Sequence, residues 1–136
     1  MTRSFLTATT LALCIFLPMQ MAHGEVNTAI ITTAEDPTRN LSKEERKKIP
    51  FEVWVNSPTA KYLKRVESKN NCKATGSNGK YQGTWQMNAG FWKTYGGKKY
   101  ASKASKATCK EQDLVAYKGW LARGWSPWPP AKNFKP

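Results

Sequence analysis

Between Leu63 and Trp92 the chain reads "LKRVESKNNCKATGSNGKYQGTWQMNAGFW", and the only carboxylate in it is Glu67. A lone acid at the border of a glycine-rich, aromatic-rich loop has the chemistry of a general acid. Shielded by aromatic rings, it keeps its proton near neutral pH and can deliver it to a leaving oxygen. From position alone, a solvated helix glutamate among lysines explains Glu67 equally well. The helix dipole does not explain it, because Glu67 falls late in its helix, where negative charge is disfavoured. From residue 61 onward only Glu111 and Asp113 are also acidic. Both read as first-turn residues of a later helix, where the dipole accounts for them.

Other chemistries are excluded by composition. Arg3, an uncharged run from Ser4 to Ala22 and the small-x-small triplet Ala22-His23-Gly24 read as a cleaved signal peptide over residues 1–24, with Glu25 starting the mature chain. Thr7, Thr9, Thr10, Pro18 and Gln20 make the run a poor permanent membrane span. Cleavage would remove the only histidine, His23, and with it any Ser-His-Asp or Cys-His nucleophile and any imidazole-bound zinc. No metal or cofactor is expected. Cys72 and Cys109 are then an even pair in an exported chain, which favours a disulfide over a metal site or nucleophile.

Charge divides the chain. Residues 25–60 carry five Lys or Arg against six Asp or Glu, whereas residues 61–136 carry sixteen against three, a net +13. So basic a half is either a solvated cationic surface or a face for an extended anionic partner. Export favours wall or envelope polymers over nucleic acid.

The elements that must position Glu67 follow from local pattern. Residues 25–56 read as a polar leader or linker in which "LSKEERKKIP" forms a short charged helix stopped by Pro50 and "FEVWV" alternates like a strand. A compact domain is expected over 57–136. Ser57-Pro58 caps a helix that places Ala60, Leu63, Val66 and Glu67 along one side. Asn78-Gly79 centres a loop or short hairpin. "NAGFWKTY" forms a second helix ended by Gly96-Gly97. A third runs from Thr108 to Gly124 with Leu114, Tyr117 or Lys118, and Leu121 inward. Most tryptophans should fill the core, Trp120 among them, while Trp125 and Trp128 could line a sugar groove.

Four blocks in this order, "RVES", "TGSNGKYQGTWQM", "FWKTYGG" and "KEQDLVAYKGWLARGWSPWP", resemble the transglycosylase-like domain of the resuscitation-promoting factors over residues 60–129. The resemblance implies a mainly helical, α+β lysozyme-like fold with a short hairpin or loop lining a glycan cleft. It places the catalytic glutamate on Glu67 through the shared Glu-Ser pair. The family block that walls the cleft falls on Asn78, Gly79, Tyr81, Gly83, Trp85, Gln86 and Met87. Trp92 follows, and Trp125 lies in the closing block. The family's polar glutamine at the end of the last helix has Arg123 as its nearest counterpart. Val66 and Pro130 stand at the family's two cysteine positions, so Cys72 and Cys109 would form a bridge elsewhere.

Glycoside cleavage usually takes two carboxylates. With one, the resemblance implies that the C6 hydroxyl of N-acetylmuramic acid attacks its own anomeric carbon while Glu67 acts first as acid and then as base. The expected protein is a secreted, monomeric enzyme of the cell wall, acting on peptidoglycan strands and attracted by anionic wall polymers. A non-catalytic glycan-binding module of the same fold and a cationic membrane-active protein are the alternatives.

Overall fold

The computed structural model describes residues 36–135. The expected signal peptide and the leader as far as residue 35 lie outside the described residues.

The helix that carries Glu67 starts as its sequence dictates. Ser57 Oγ accepts the Ala60 N–H at 3.2 Å, Pro58 opens the first turn, and α3 runs Pro58–Ser68. Two shorter helices precede it, α1 (Lys43–Arg46) and α2 (Phe51–Val55). The buried face of α3 centres on Thr59, Ala60 and Leu63. Val66, expected on that face, is 46% exposed. It sits at the margin of the buried arc, and Glu67, one residue on, turns closer to its centre. The helix closes through left-handed Lys69 and Asn70, whose N–H groups return to Arg65 O and Lys64 O.

The strand-like "FEVWV" is the helix α2 instead. Five residues cannot separate a period of two from one of 3.6, and the burial of Trp54 decides the matter. Its ring is fully enclosed, stacked on Trp85 at 5.1 Å and on Trp125 at 5.7 Å. Residues from Asp36 to Asn56 therefore pack into the core rather than trailing as a polar leader. The buried carboxylate of Asp36 fastens them, accepting from Thr38 N, Thr38 Oγ1 and, at 2.6 Å, Thr59 N in the first turn of α3.

After α3 the chain forms the only sheet among the described residues. Strands β1 (Thr75–Gly76) and β2 (Tyr81–Gln82) pair antiparallel, Gly76 opposite Tyr81. Ser77, Asn78 and Gly79 all take positive φ in the turn, which Asn and Gly tolerate best. Helix α4 (Ala89–Thr94) follows, capped by Asn88 and ending before Gly96-Gly97. Helix α5 (Cys109–Arg123) starts with a capping box between Thr108 and Glu111 and stops at Gly124. Its buried face is Gln112, Val115, Ala116, Gly119 and Trp120; the expected inward stripe is turned away from it, with Leu114, Tyr117 and Leu121 only half-buried and Lys118 exposed. Small Ala and Gly mark this face, where α5 is approached closely: the Phe91 ring occupies the space a Cβ on Gly119 would need.

Cys72 and Cys109 are bonded, with Cα atoms 5.4 Å apart. The bridge ties the loop after α3 to the first residue of α5. Fully buried Gln112 makes the same connection with hydrogen bonds: its Oε1 accepts from Thr84 N at 2.7 Å, and its Nε2 donates to Cys72 O and Ala107 O. The architecture is mainly helical with one small antiparallel hairpin, the α+β lysozyme-like class implied by the four blocks.

Candidate active site

Glu67 opens into a cleft of about 760 Å³. Four segments build it. The end of α3 supplies Glu67, and the hairpin with the turn after it supplies Ser77, Tyr81, Gln86 and Met87. Helix α4 and its C-cap add Phe91, Thr94 and Tyr95, and the end of α5 with the chain after it adds Arg123 and Ser126 to Pro129.

Each wall is held in place. Ser68, next to Glu67, donates to Thr84 O at 2.9 Å and so fixes the last turn of α3 to the loop leading into the cleft floor. Gln86, at positive φ, donates from Nε2 to Gly83 O at 2.9 Å. Gly76 leaves room for its amide: a Cβ there would collide with Gln86 Oε1. Trp128 borders the cleft from within the core, only 3% exposed, its indole N–H bonded to Trp85 O at 3.0 Å and its ring 5.5 Å from Phe91.

Glu67 is half-buried, and burial pushes its carboxyl above the ordinary carboxylate range. The lysines around it in sequence do not reverse that direction, and among the described residues Glu67 joins no ion pair. A carboxyl shifted toward its protonated form in an open cleft can donate to an oxygen bound there.

The expected site residues separate into three groups. Glu67, Tyr81, Gln86 and Arg123 meet in the cleft. Trp85 and Trp92 do not: they are 0% and 1% exposed, Trp85 inside the aromatic core and Trp92 bonded through its indole N–H to Ala101 O. In a domain this small large rings are needed to fill the interior, and that need outweighs their use on a surface. Trp125 lines a neighbouring pocket, where its indole N–H donates to Thr38 O at 3.0 Å. The cleft aromatics that sequence reasoning missed are Phe91 and Tyr95, one turn apart on α4 with rings 4.6 Å apart. Their i, i+4 spacing opposite buried Trp92 was the available signal.

Asp113 also departs from expectation. It lies beyond the first turn of α5, and its side chain is only 14% exposed. Its Oδ1 accepts the Trp85 indole N–H at 2.7 Å, and Lys64 Nζ stands 3.5 Å from Oδ2. It does not line the cleft. Glu111 lies in the first turn as expected, and there it closes a capping box with Thr108. Among the described residues Glu67 is therefore the only carboxylate of the cleft, and no cluster of three or more His, Cys, Asp or Glu could hold a metal. No helix among them is long and apolar enough to cross a membrane.

Residues 56–131 match the family model described as the transglycosylase-like domain. The resuscitation-promoting factor Rpf1 of Corynebacterium glutamicum is 37% identical over 67 residues, 49% of this chain and 34% of the relative. The chain thus matches about a third of that relative's length.

Proposed function

Because the chain belongs to the transglycosylase-like domain family, we propose that it is an exported enzyme that cleaves the β-1,4 bond between N-acetylmuramic acid and N-acetylglucosamine in peptidoglycan. The observation that carries this reading is Glu67: a single half-buried carboxyl, shifted toward its protonated form, in a cleft walled by Tyr81, Phe91, Tyr95 and Trp128. Sugars present apolar faces and polar edges, and aromatic rings beside amide and guanidinium groups complement both.

In this proposal Glu67 gives its proton to the glycosidic oxygen as that bond to the anomeric carbon breaks. The C6 hydroxyl of the same N-acetylmuramic acid attacks the carbon, and its proton passes to the Glu67 carboxylate. One bond is broken and one formed, the enzyme regains its acid, and the sugar leaves as the 1,6-anhydro form. Gln86 and Arg123 act on the bound glycan as hydrogen-bond partners at the cleft wall. The cationic surface draws the protein to wall polymers bearing carboxylate and phosphate.

Turnover of purified peptidoglycan by Glu67→Gln tests the reading. An enzyme loses about two or more orders of magnitude in rate, the scale of general acid catalysis, while still sedimenting with the wall. Glycan release at an unchanged rate would remove Glu67 from the chemistry. Sedimentation with no release by either protein would leave a binding module.

A further inference from the structure

Beside the cleft lies a second pocket of about 320 Å³ that shares Ser126, Trp128 and Pro129 with the cleft wall. Its far side is made by Thr38 to Leu41 and Arg46, which precede the residues matched by the family model. Asp36 and α3 hold that segment in place.

The charge of this pocket is one-sided. Arg39, Arg46 and Lys132 line it, and no Asp or Glu does; the cleft next door balances Arg123 against Glu67. Arg46 is committed to the fold, donating to Leu41 O, Leu121 O and Ala122 O, the last two at the end of α5. Arg39 Nη1 donates to Phe134 O at 2.6 Å. Carbonyl oxygens orient a guanidinium without cancelling its charge, and among the described residues neither arginine joins an ion pair. A solvated basic surface would carry mobile side chains; here two half-buried guanidinium groups are anchored, and Arg39 uses only Nη1. An anchored guanidinium with donors left over suits a carboxylate or phosphate.

We propose that this pocket is an anion subsite that takes the peptide carboxylates hanging from the muramic acid bound in the cleft. The proposal rests on the peptidoglycan reading. The shared wall of Ser126, Trp128 and Pro129 selects the occupant: a group attached to the cleft-bound sugar reaches the pocket without leaving the surface. Since C6 must be free for its hydroxyl to attack, the reaching group is the lactyl-linked peptide.

The test is an NMR titration of the Trp125 and Trp128 indole N–H signals, Trp125 within the second pocket and Trp128 in the shared wall. The ligands are N-acetylmuramyl-L-alanyl-D-isoglutamine with a free terminal carboxylate, the same compound amidated, and inorganic phosphate. The acid should bind about three- to ten-fold more tightly than the amide at low salt, and the preference should shrink as salt screens it. In exposed Lys132→Gln, and in Arg39→Gln with its Tm checked, the ratio should fall toward one. Equal affinity for acid and amide, or a ratio that survives both substitutions, overturns the subsite alone. Tighter saturation of Trp125 by phosphate assigns the pocket to a wall phosphate and overturns the peptide assignment. A muramyl dipeptide acid that moves neither signal overturns the subsite alone, because the glycan reading stands or falls with the turnover of peptidoglycan by Glu67→Gln.

Discussion

Trp85 donates its indole N–H to Asp113 Oδ1 at 2.7 Å, so a carboxylate on α5 faces the aromatic core. Burial raises the Asp113 carboxyl above its usual range despite the Trp85 and Lys64 contacts that act the other way. Asp113→Ala leaves a buried indole N–H unpaired and should cost about 1–3 kcal/mol, read by urea denaturation. Asp113→Asn keeps an acceptor and should cost less. An alanine variant as stable as the parent would show that the indole finds another partner.

Glu67 carries the opposite relation between stability and function. Its pKa in the fold is raised by burial, so folding favours the protonated form. The stabilisation from that preference is complete below the unfolded pKa and is lost as pH rises through the folded one. Glu67→Gln cannot ionise. Its Tm should exceed the parent's at neutral pH and converge with it in acid, while its activity is low throughout. Parent activity should decline on the alkaline side as the acid form is lost. Parallel melting curves of the two proteins across pH would show that Glu67 does not strain the fold.

The disulfide staples the segment that shapes the cleft. Cys72 and Cys109 are 37 residues apart, for which the chain-entropy estimate is about 3–4 kcal/mol. In a domain near a hundred residues this is a Tm loss on the order of 15–25 °C. Scanning calorimetry with and without reductant measures it. Gln112 bonds both sides of the same junction, so a loss of only a few degrees would assign the junction to Gln112.

What was legible in the sequence was local. Ser57, Asn88 and Thr108 each cap the helix they were expected to start, and Asn78-Gly79 turns the hairpin, because caps and turns are settled within four or five residues. Glu67 was singled out by the scarcity of acids around it, a feature of composition. The misreadings at Trp54, Trp85, Trp92 and Asp113 share another origin. Each side chain is placed by the aromatic core, whose rings come from α2, the segment after the hairpin, α4, α5 and the C-terminal turn. No window of sequence contains those partners together. The polarity of residues 36–56 likewise concealed that one tryptophan there, Trp54, sits at the centre of the stack.

For the proposed glycan cleavage, the expected product follows from where the other acids are. Hydrolysis by water normally takes a second carboxylate to activate it. Asp113 is turned onto Trp85 and Lys64, Glu111 closes its capping box, and Asp36 is buried at the start of α3. None lines the cleft. The substrate's own C6 hydroxyl needs no base beyond Glu67 and has the proximity of an intramolecular nucleophile. Digested peptidoglycan should therefore yield fragments ending in 1,6-anhydro-N-acetylmuramic acid, one water lighter than reducing-end products and resolved by mass spectrometry. Gln86 offers the competing route. Its amide is fixed in the cleft wall through Gly83 O and could hold a water against the anomeric carbon. Reducing ends alone in the wild-type digest, lost in Gln86→Ala, would make the enzyme a hydrolase with Gln86 as its water-binding group and Glu67 still as its acid.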